Sequence, residues 1–289
     1  MKKALKKLYA AIPFKQQFFS LLRPFGLPAS LYQHLHFNGV FKVKFEGCSF
    51  LMQHYGYQIE NSLYWAGPLN GWERISMQLW INLCKDAEVI IDLGANTGIY
   101  SLLAKAIRPE AQVYAFEPVQ RVYDKLLKNC DLNHYDIHCL EYAVSNYDGE
   151  GIIYDLPIEH IYGATITKFS DVNAGNAIEV KVKMKKLSTF IKEAGLTKID
   201  IMKIDVETHE PEILEGMDEY LALLRPSILV EVLTDEAGAR IEALIKGMGY
   251  LYFNIDEVNK PRQVNKITHS DYFNYLLCSP ETARKLSLI

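Results

Sequence analysis

The chain has 289 residues, 49% hydrophobic and 23% charged, which excludes a disordered or low-complexity protein and allows one large α/β domain with additions. Its formal charge of −4 excludes a protein whose whole surface meets nucleic acid. That total hides an asymmetry: the first 45 residues carry eight basic and no acidic side chains, while the remaining 244 carry 23 basic and 35 acidic ones, a net −12.

At the start of the chain, Leu5, Leu8, Tyr9 and Ile12 share one helix face opposite Lys2, Lys3, Lys6 and Lys7, predicting a short amphipathic basic helix. The apolar run from Leu8 to Phe14 is cut by Pro13, too short for a secretory signal, and no run reaches the roughly 18 apolar residues of a spanning helix. The basic segment therefore predicts attraction to an anionic membrane surface, through residues 1–25, or to a phosphorylated acceptor. Five cysteines, Cys48, Cys84, Cys130, Cys139 and Cys278, lack the paired spacing of a disulfide framework or a zinc site, so reduced thiols and a cytoplasmic setting are expected.

Alternation over Val40 to Phe45 and Ser49 to Met52 predicts a hairpin about Glu46-Gly47, and a helix is expected near Glu73 to Cys84. Between them, Tyr55, Tyr57, Tyr64, Trp65 and Trp72 read equally as core or as the wall of an acceptor cleft. From Glu88 short β-branched runs alternate with helical stripes. Val89 to Ile91 predicts a buried strand, and the stripe Ile99, Leu102, Leu103, Ala106, Ile107 a helix. A strand over 113–116, a helix around Val122 to Cys130 and a strand over 137–144 follow, the βαβαβ signature of a parallel sheet. Residues 146–186 read as an insertion with strands near 151–154 and 178–184. Strands over 199–205 and 227–231, helices after Pro211 and Thr234, and late strands over 250–255 and 272–278 complete the pattern. The division expected is a 1–75 extension and a 76–289 catalytic domain.

The first strand of the parallel unit runs into Asp92-Leu93-Gly94-Ala95-Asn96-Thr97-Gly98, at the strand end where open α/β sheets bind nucleotides. The Gly-x-x-x-Gly spacing differs from the dinucleotide and P-loop fingerprints, so a nucleoside without phosphates is expected there. Glu117, 25 residues beyond Asp92 and just after the second strand, is suited to accept both ribose hydroxyls. S-adenosylmethionine has these features: adenosine, no phosphate, and an amino-acid tail for Asp92 and the 94–98 turn.

Val89 to Ser101, Ala115-Phe116-Glu117-Pro118, Ala143-Val144-Ser145 with Gly149, and Ile199 to Glu207 with Leu214-Glu215-Gly216 resemble FkbM-type S-adenosylmethionine-dependent methyltransferases, in order along the chain from about Phe41 to Cys278. The resemblance implies a Rossmann-like class I methyltransferase fold, a seven-stranded, mostly parallel sheet with one antiparallel edge strand. It implies O-methylation of a sugar or other hydroxylated metabolite, with Asp92, Gly94, Ala95, Asn96, Thr97, Gly98 and Glu117 at the cofactor and Glu141 to Ala143 near adenine. Where such sequences often read Asp-Val-Glu-Gly, this one reads Asp205-Val206-Glu207-Thr208-His209.

An alcohol must lose its proton as it is methylated, so His209 is the expected base, oriented by Asp205 or Glu207. Asp205 and Glu207 without a third ligand make a poor metal site, and none is expected. Lys203, in a buried strand, calls for an ion pair with Asp92 or Asp205. N-methylation on the same scaffold, a nicotinamide oxidoreductase and a non-catalytic binding module are the alternatives.

Overall fold

In the computed structural model, which describes residues 13–155, 164–165 and 178–289, the chain opens with helix α1 (Lys15–Leu22), a 3-10 turn (Arg23–Phe25) and the short α2 (Ala29–Tyr32). The basic helix expected over Leu5 to Ile12 lies outside the described residues. The hairpin β1 (Gly39–Phe45) and β2 (Cys48–His54) turns at Glu46 and Gly47 as expected, both at positive φ, with Phe41, Val43 and Phe45 buried on one face and Lys42 and Lys44 exposed on the other. Helix α3 (Gln58–Trp65), within the aromatic-rich stretch, and α4 (Arg74–Cys84) follow.

The catalytic-domain pattern then unfolds as β3 (Val89–Leu93), α5 (Ile99–Ile107), β4 (Gln112–Phe116), α6 (Gln120–Asn133) and β5 (Ile137–Leu140). The single strand expected over 137–144 is broken. Leu140 gives its carbonyl to the Glu117 N–H, and after Glu141 and Tyr142 the chain starts a separate strand, β6 (Ala143–Ser145). This strand joins β7 (Gly149–Asp155), β8 (Ala164–Thr165) and β9 (Ile178–Lys186) in a second sheet of order β6-β9-β7-β8, so the insertion forms a sheet of its own beside the first. Its small core joins Ala143, Ile153, Val182 and Met184 to Val119 and Val122.

Helix α7 (Leu187–Glu193), β10 (Ile201–Ile204), α8 (Glu210–Glu215), α9 (Glu219–Leu224), β11 (Ser227–Glu231), α10 (Asp235–Ile245), β12 (Leu251–Ile255), β13 (Pro261–Val264), β14 (Asn274–Cys278) and α11 (Pro280–Lys285) complete the fold. Thr234 caps α10 by accepting the Ala237 N–H at 3.1 Å, as its position predicts. The main sheet has order β13-β12-β14-β11-β10-β3-β4-β5. It is the mostly parallel class I sheet, with β14 reversed between β11 and β12. Where seven strands were expected there are eight. Asp256 accepts the Val258 and Asn259 N–H groups, turning the chain back so that Pro261 to Val264 pairs on the outside of β12. Proline is tolerated on such an edge because its missing donor has no neighbouring strand to serve.

The central strand β3 is buried along its whole length, as a parallel strand covered on both faces must be. Ile91 and Leu93 pack with α7 to α10 on one face, and Ile90 packs on the other with α4, α5 and the hairpin. That second cluster runs without a break from Phe19, Phe41 and Met52 to Leu229 and Leu276, so the extension shares its core with the sheet. Polar contacts fix the same docking: Asn133 Oδ1 accepts the Leu51 N–H at 2.6 Å and its Nδ2 donates to the Leu51 carbonyl at 2.7 Å, while Glu257 accepts the Ile75 and Ser76 N–H groups that open α4.

Asn133→Ala leaves both Leu51 backbone groups unpaired at a half-buried edge. It is expected to lower the unfolding free energy by about 1–3 kcal/mol, read as a fall in the urea midpoint with an unchanged slope.

Candidate functional site: a cleft at the carboxyl ends of β3, β4, β10 and β11

After β3 the backbone turns through Gly94 at φ 77°, Asn96 at 53° and Gly98 at 91° before entering α5. The Gly94 and Ala95 N–H groups donate to the Phe116 carbonyl at 3.1 and 2.9 Å, fastening the turn to the end of β4. Glycine is required at 94 because a Cβ there would stand 1.9 Å from the Asp205 carbonyl oxygen. Beneath the turn, Asp92 Oδ2 accepts from the Ser101 N–H at 3.0 Å and the Ser101 hydroxyl at 2.7 Å. Its Oδ1 is buried with no hydrogen-bond partner, and burial raises its pKa.

Glu117 is held from both sides: Oε2 accepts the Asn96 N–H at 3.1 Å and Oε1 the Val119 N–H at 2.9 Å. Burial pushes its carboxyl up to about 7, against the downward pull of those two N–H groups. Beyond it the wall is formed by Tyr142 and Ala143 and by the Arg121–Asp155 ion pair, with Arg121 Nε 2.7 Å from Asp155 Oδ2.

The opposite end is crowded with charge. Lys203 Nζ lies 2.6 Å from Asp205 Oδ2 and 4.5 Å from the centre of the Tyr100 ring, and the Tyr100 hydroxyl donates to Glu73 at 2.6 Å. Burial alone would lower the ammonium's pKa, but Asp205, Glu73 and Asp92 together raise it, so Lys203 stays charged. Around it burial lifts Glu73 and Glu207 to about 7 and Glu231 to about 10, each raised further by Asp205 and drawn down by Lys203. Glu231 Oε2 has no hydrogen-bond partner.

These charged groups, apart from Glu73, line one cleft of about 210 Å³, and Glu73 is linked to it through the Tyr100 hydroxyl. Of the residues singled out in the sequence, Asp92, Gly94, Ala95, Asn96, Glu117, Ala143, Lys203, Asp205 and Glu207 line it. Thr97 and Gly98 lie in the turn but outside the lining; the Thr97 carbonyl accepts from Asn129 at 2.8 Å. Glu141 is exposed and outside the lining, and its neighbour Tyr142 lines the cleft instead. The expected ion pair of Lys203 is with Asp205. The aromatic group divides: Tyr64 and Trp65 are core, whereas Trp72, 41% exposed, lines the cleft with Ile59.

His209, the base expected from the sequence, does not line the cleft. It stands at the entry to α8 with Nε2 2.9 Å from Ser145 Oγ and Nδ1 3.5 Å from Glu212, and burial lowers its pKa. The loop that carries it leaves β10 through Glu207 and Thr208 at φ 58° and 78°, and Glu210 accepts the Val206 and Thr208 N–H groups, so the chain curls round that carboxylate. Glu231, Glu73 and Tyr100 were missed. Only Glu231 had a sequence signal, an acid at the carboxyl end of a parallel strand. Among the described residues no group of three or more His, Cys, Asp or Glu is arranged to hold a metal ion.

The family model described as methyltransferase FkbM domain matches residues 92–252. Methyltransferase sdnD of Sordaria araneosa is 32% identical over 189 residues, 56% of this chain and 73% of that protein. Hexuronic acid methyltransferase AglP of Haloferax volcanii is 25% identical over 164 residues, 55% of this chain and 62% of that one. 2-O-methyltransferase NoeI of Sinorhizobium fredii is 25% identical over 168 residues, 53% and 66% respectively.

Gly94→Ala must push the β3 turn off the β10 end and is expected to lose at least about 2 kcal/mol of stability in thermal unfolding. Gly47→Ala, also at positive φ but with open space round its Cβ, is the control and should lose only about 1 kcal/mol.

Proposed function

The chain belongs to the FkbM methyltransferase family, an S-adenosylmethionine-dependent group, and from that premise we propose that it methylates a hydroxyl of a sugar or related polyol in the cleft between Glu117 and Glu231. The supporting observation is the pairing, in one cleft, of a nucleoside-shaped end with an acidic end. At the first, Glu117 is pinned by two backbone N–H groups beside a turn that only glycine permits, above the unpartnered Oδ1 of Asp92. These residues fit S-adenosylmethionine: Glu117 takes the ribose hydroxyls, Asp92 the amino-acid tail, Gly94 to Asn96 bring backbone close, and Tyr142 and Ala143 border the base. Thr97 and Gly98 act through the shape of the turn.

The bound cofactor supplies an electrophilic methyl group, and the protein's task is to align and deprotonate the acceptor. In place of His209, which lies outside the lining, the base we assign is Glu207, which lines the cleft and takes the hydroxyl proton on its carboxylate as the oxygen is methylated. Asp205, held by Lys203, orients the acceptor hydroxyl, and Trp72 offers a ring face to the sugar's C–H surface. AglP and NoeI, by their names a hexuronic acid methyltransferase and a 2-O-methyltransferase, support a sugar hydroxyl as acceptor. An amine acceptor is the second reading, favoured by the three acidic side chains Asp205, Glu207 and Glu231 in the cleft lining, which offer hydrogen-bond acceptors to an amine.

Isotopic methyl transfer from S-adenosylmethionine into fractionated glycans, followed by mass spectrometry of the product, tests the acceptor; label appearing only on amines would overturn the O-methylation reading. By calorimetry, Glu117→Ala should weaken S-adenosylmethionine binding roughly 10- to 100-fold, the loss of a charge-assisted bidentate contact. With Glu207 near 7, the carboxyl is protonated and inactive as a base below that pH and ionised above it. At saturating cofactor, kcat should therefore fall about tenfold per unit below pH 7 and level off above it, and Glu207→Gln should remove this dependence and about 100-fold or more of the rate.

A further inference from the structure

Helix α1 and the 3-10 turn after it bury one side and leave the other bare. Phe19 is buried against Phe37 and Trp65, its ring centre 5.5 Å from that of Trp65, and Gln16 Nε2 donates to the Val40 carbonyl of β1. The other side exposes Phe14, Phe18, Leu21 and Phe25, at 75, 56, 72 and 79%, and Leu31 of α2 adds a fifth large apolar side chain at 55%. Phe18 and Leu21 stand three residues apart on one face of α1, Phe14 immediately precedes the helix, and Phe25 ends the 3-10 turn. The other exposed residues between Phe14 and Gly26, namely Gln17, Ser20, Pro24 and Gly26 itself, carry no charge, and the two cations of the stretch, Lys15 and Arg23, are half-buried.

An uncharged ridge of this kind on the outside of a protein marks a surface that meets something apolar. The charge around it says what. No acidic residue precedes Glu46; the twelve residues before the ridge carry Lys2, Lys3, Lys6 and Lys7, and exposed Lys42 and Lys44 stand on the strand to which α1 is hydrogen-bonded. A bare aromatic ridge in an all-basic segment complements a surface that is apolar inside and anionic outside. We infer that Phe14, Phe18, Leu21, Phe25 and Leu31 form the insertion face by which this chain docks on an anionic lipid bilayer. Trp65, against which Phe19 packs, belongs to α3, and Ile59 of that same helix lines the cleft, so the docking face lies one helix away from the site.

Sedimentation of the full chain with mixed phosphatidylcholine–phosphatidylglycerol vesicles, against phosphatidylcholine alone, tests this. The unaltered chain should bind the anionic vesicles preferentially, and less so as salt rises. Phe18→Ser, Leu21→Ser and Phe25→Ser together should lower the bound-to-free ratio about tenfold or more while thermal unfolding is unchanged, because all three side chains are already exposed. Replacing Lys2, Lys3, Lys6 and Lys7 by Gln should abolish most of the preference for anionic lipid. Failure of the unaltered chain to bind anionic vesicles overturns the inference, as does undiminished binding by the triple Ser variant. A concentration-dependent dimer in ultracentrifugation that the triple variant dissolves, without vesicle binding, assigns the face to a second copy of the chain instead.

Discussion

One buried ammonium organises the active end of the cleft. Lys203 sits in register beside Asp92 on the neighbouring strand, bonds to Asp205 two residues along its own, and lies over the Tyr100 ring that leads to Glu73. An unpaired charge at that depth would be strongly destabilising, and so would the carboxylates without it. The arrangement still leaves more acid than base. Lys203 draws the pKa values of Glu73, Glu207 and Glu231 down, yet burial and Asp205 keep all three above the ordinary carboxylate range. A carboxyl poised near neutrality suits the proton-accepting role proposed for Glu207, so the same ion pair bears on that proposal and on the fold.

The same balance divides the cleft. Glu117 is held in a fixed geometry by backbone N–H groups, whereas Glu207 and Glu231 line the other end of the cleft, where the Glu231 Oε2 atom has no hydrogen-bond partner. The first end is preorganised to recognise one molecule by shape; the second is built to hold or release protons. Gly94 joins them, because the turn that approaches the nucleoside end also touches the backbone of Asp205 at the acidic end. Any shift of that contact moves both halves of the reaction together.

What could be read from the sequence was local. The strands around Asp92 and Lys203 are short and apolar, the Gly94 turn announces itself, and Glu117 falls at a strand end, so the parallel sheet and the nucleoside end follow from periodicity and spacing. His209 shows the limit. Four residues past Asp205 it could face the cleft or the helix behind it, and the choice depends on the positive-φ steps at Glu207 and Thr208, where a Thr takes a conformation that usually favours glycine. The eighth strand was hidden for a similar reason: the reversal after Ile255 rests on Asp256 gathering backbone N–H groups, a side-chain effect that apolar patterning does not register.

The greatest distance between sequence and site lies in the first 75 residues. Read alone they form an extension, since they hold neither the glycine turn nor the strand-end acids. Folded, they contribute Ile59 and Trp72 to the cleft wall and Glu73 to the charge network, and Asn274 of β14 closes that network by donating to Glu73 at 2.9 Å. Helix α4, which begins at Arg74, is capped by Glu257 from the far edge of the sheet, and Trp80 of the same helix donates its indole N–H to the Tyr100 carbonyl. The segment that carries Trp72 and Glu73 is thus tied at one end to α5 and at the other to the β12–β13 turn. Asp92, Glu117, Asp205, Glu207 and Glu231 all come from the main sheet or the loops at its strand ends, Tyr142 and Ala143 from the segment entering the second sheet, and the extension adds Ile59 and Trp72 to the lining. The extension is therefore part of the cleft wall and of the charge network, not an appendage to the sheet.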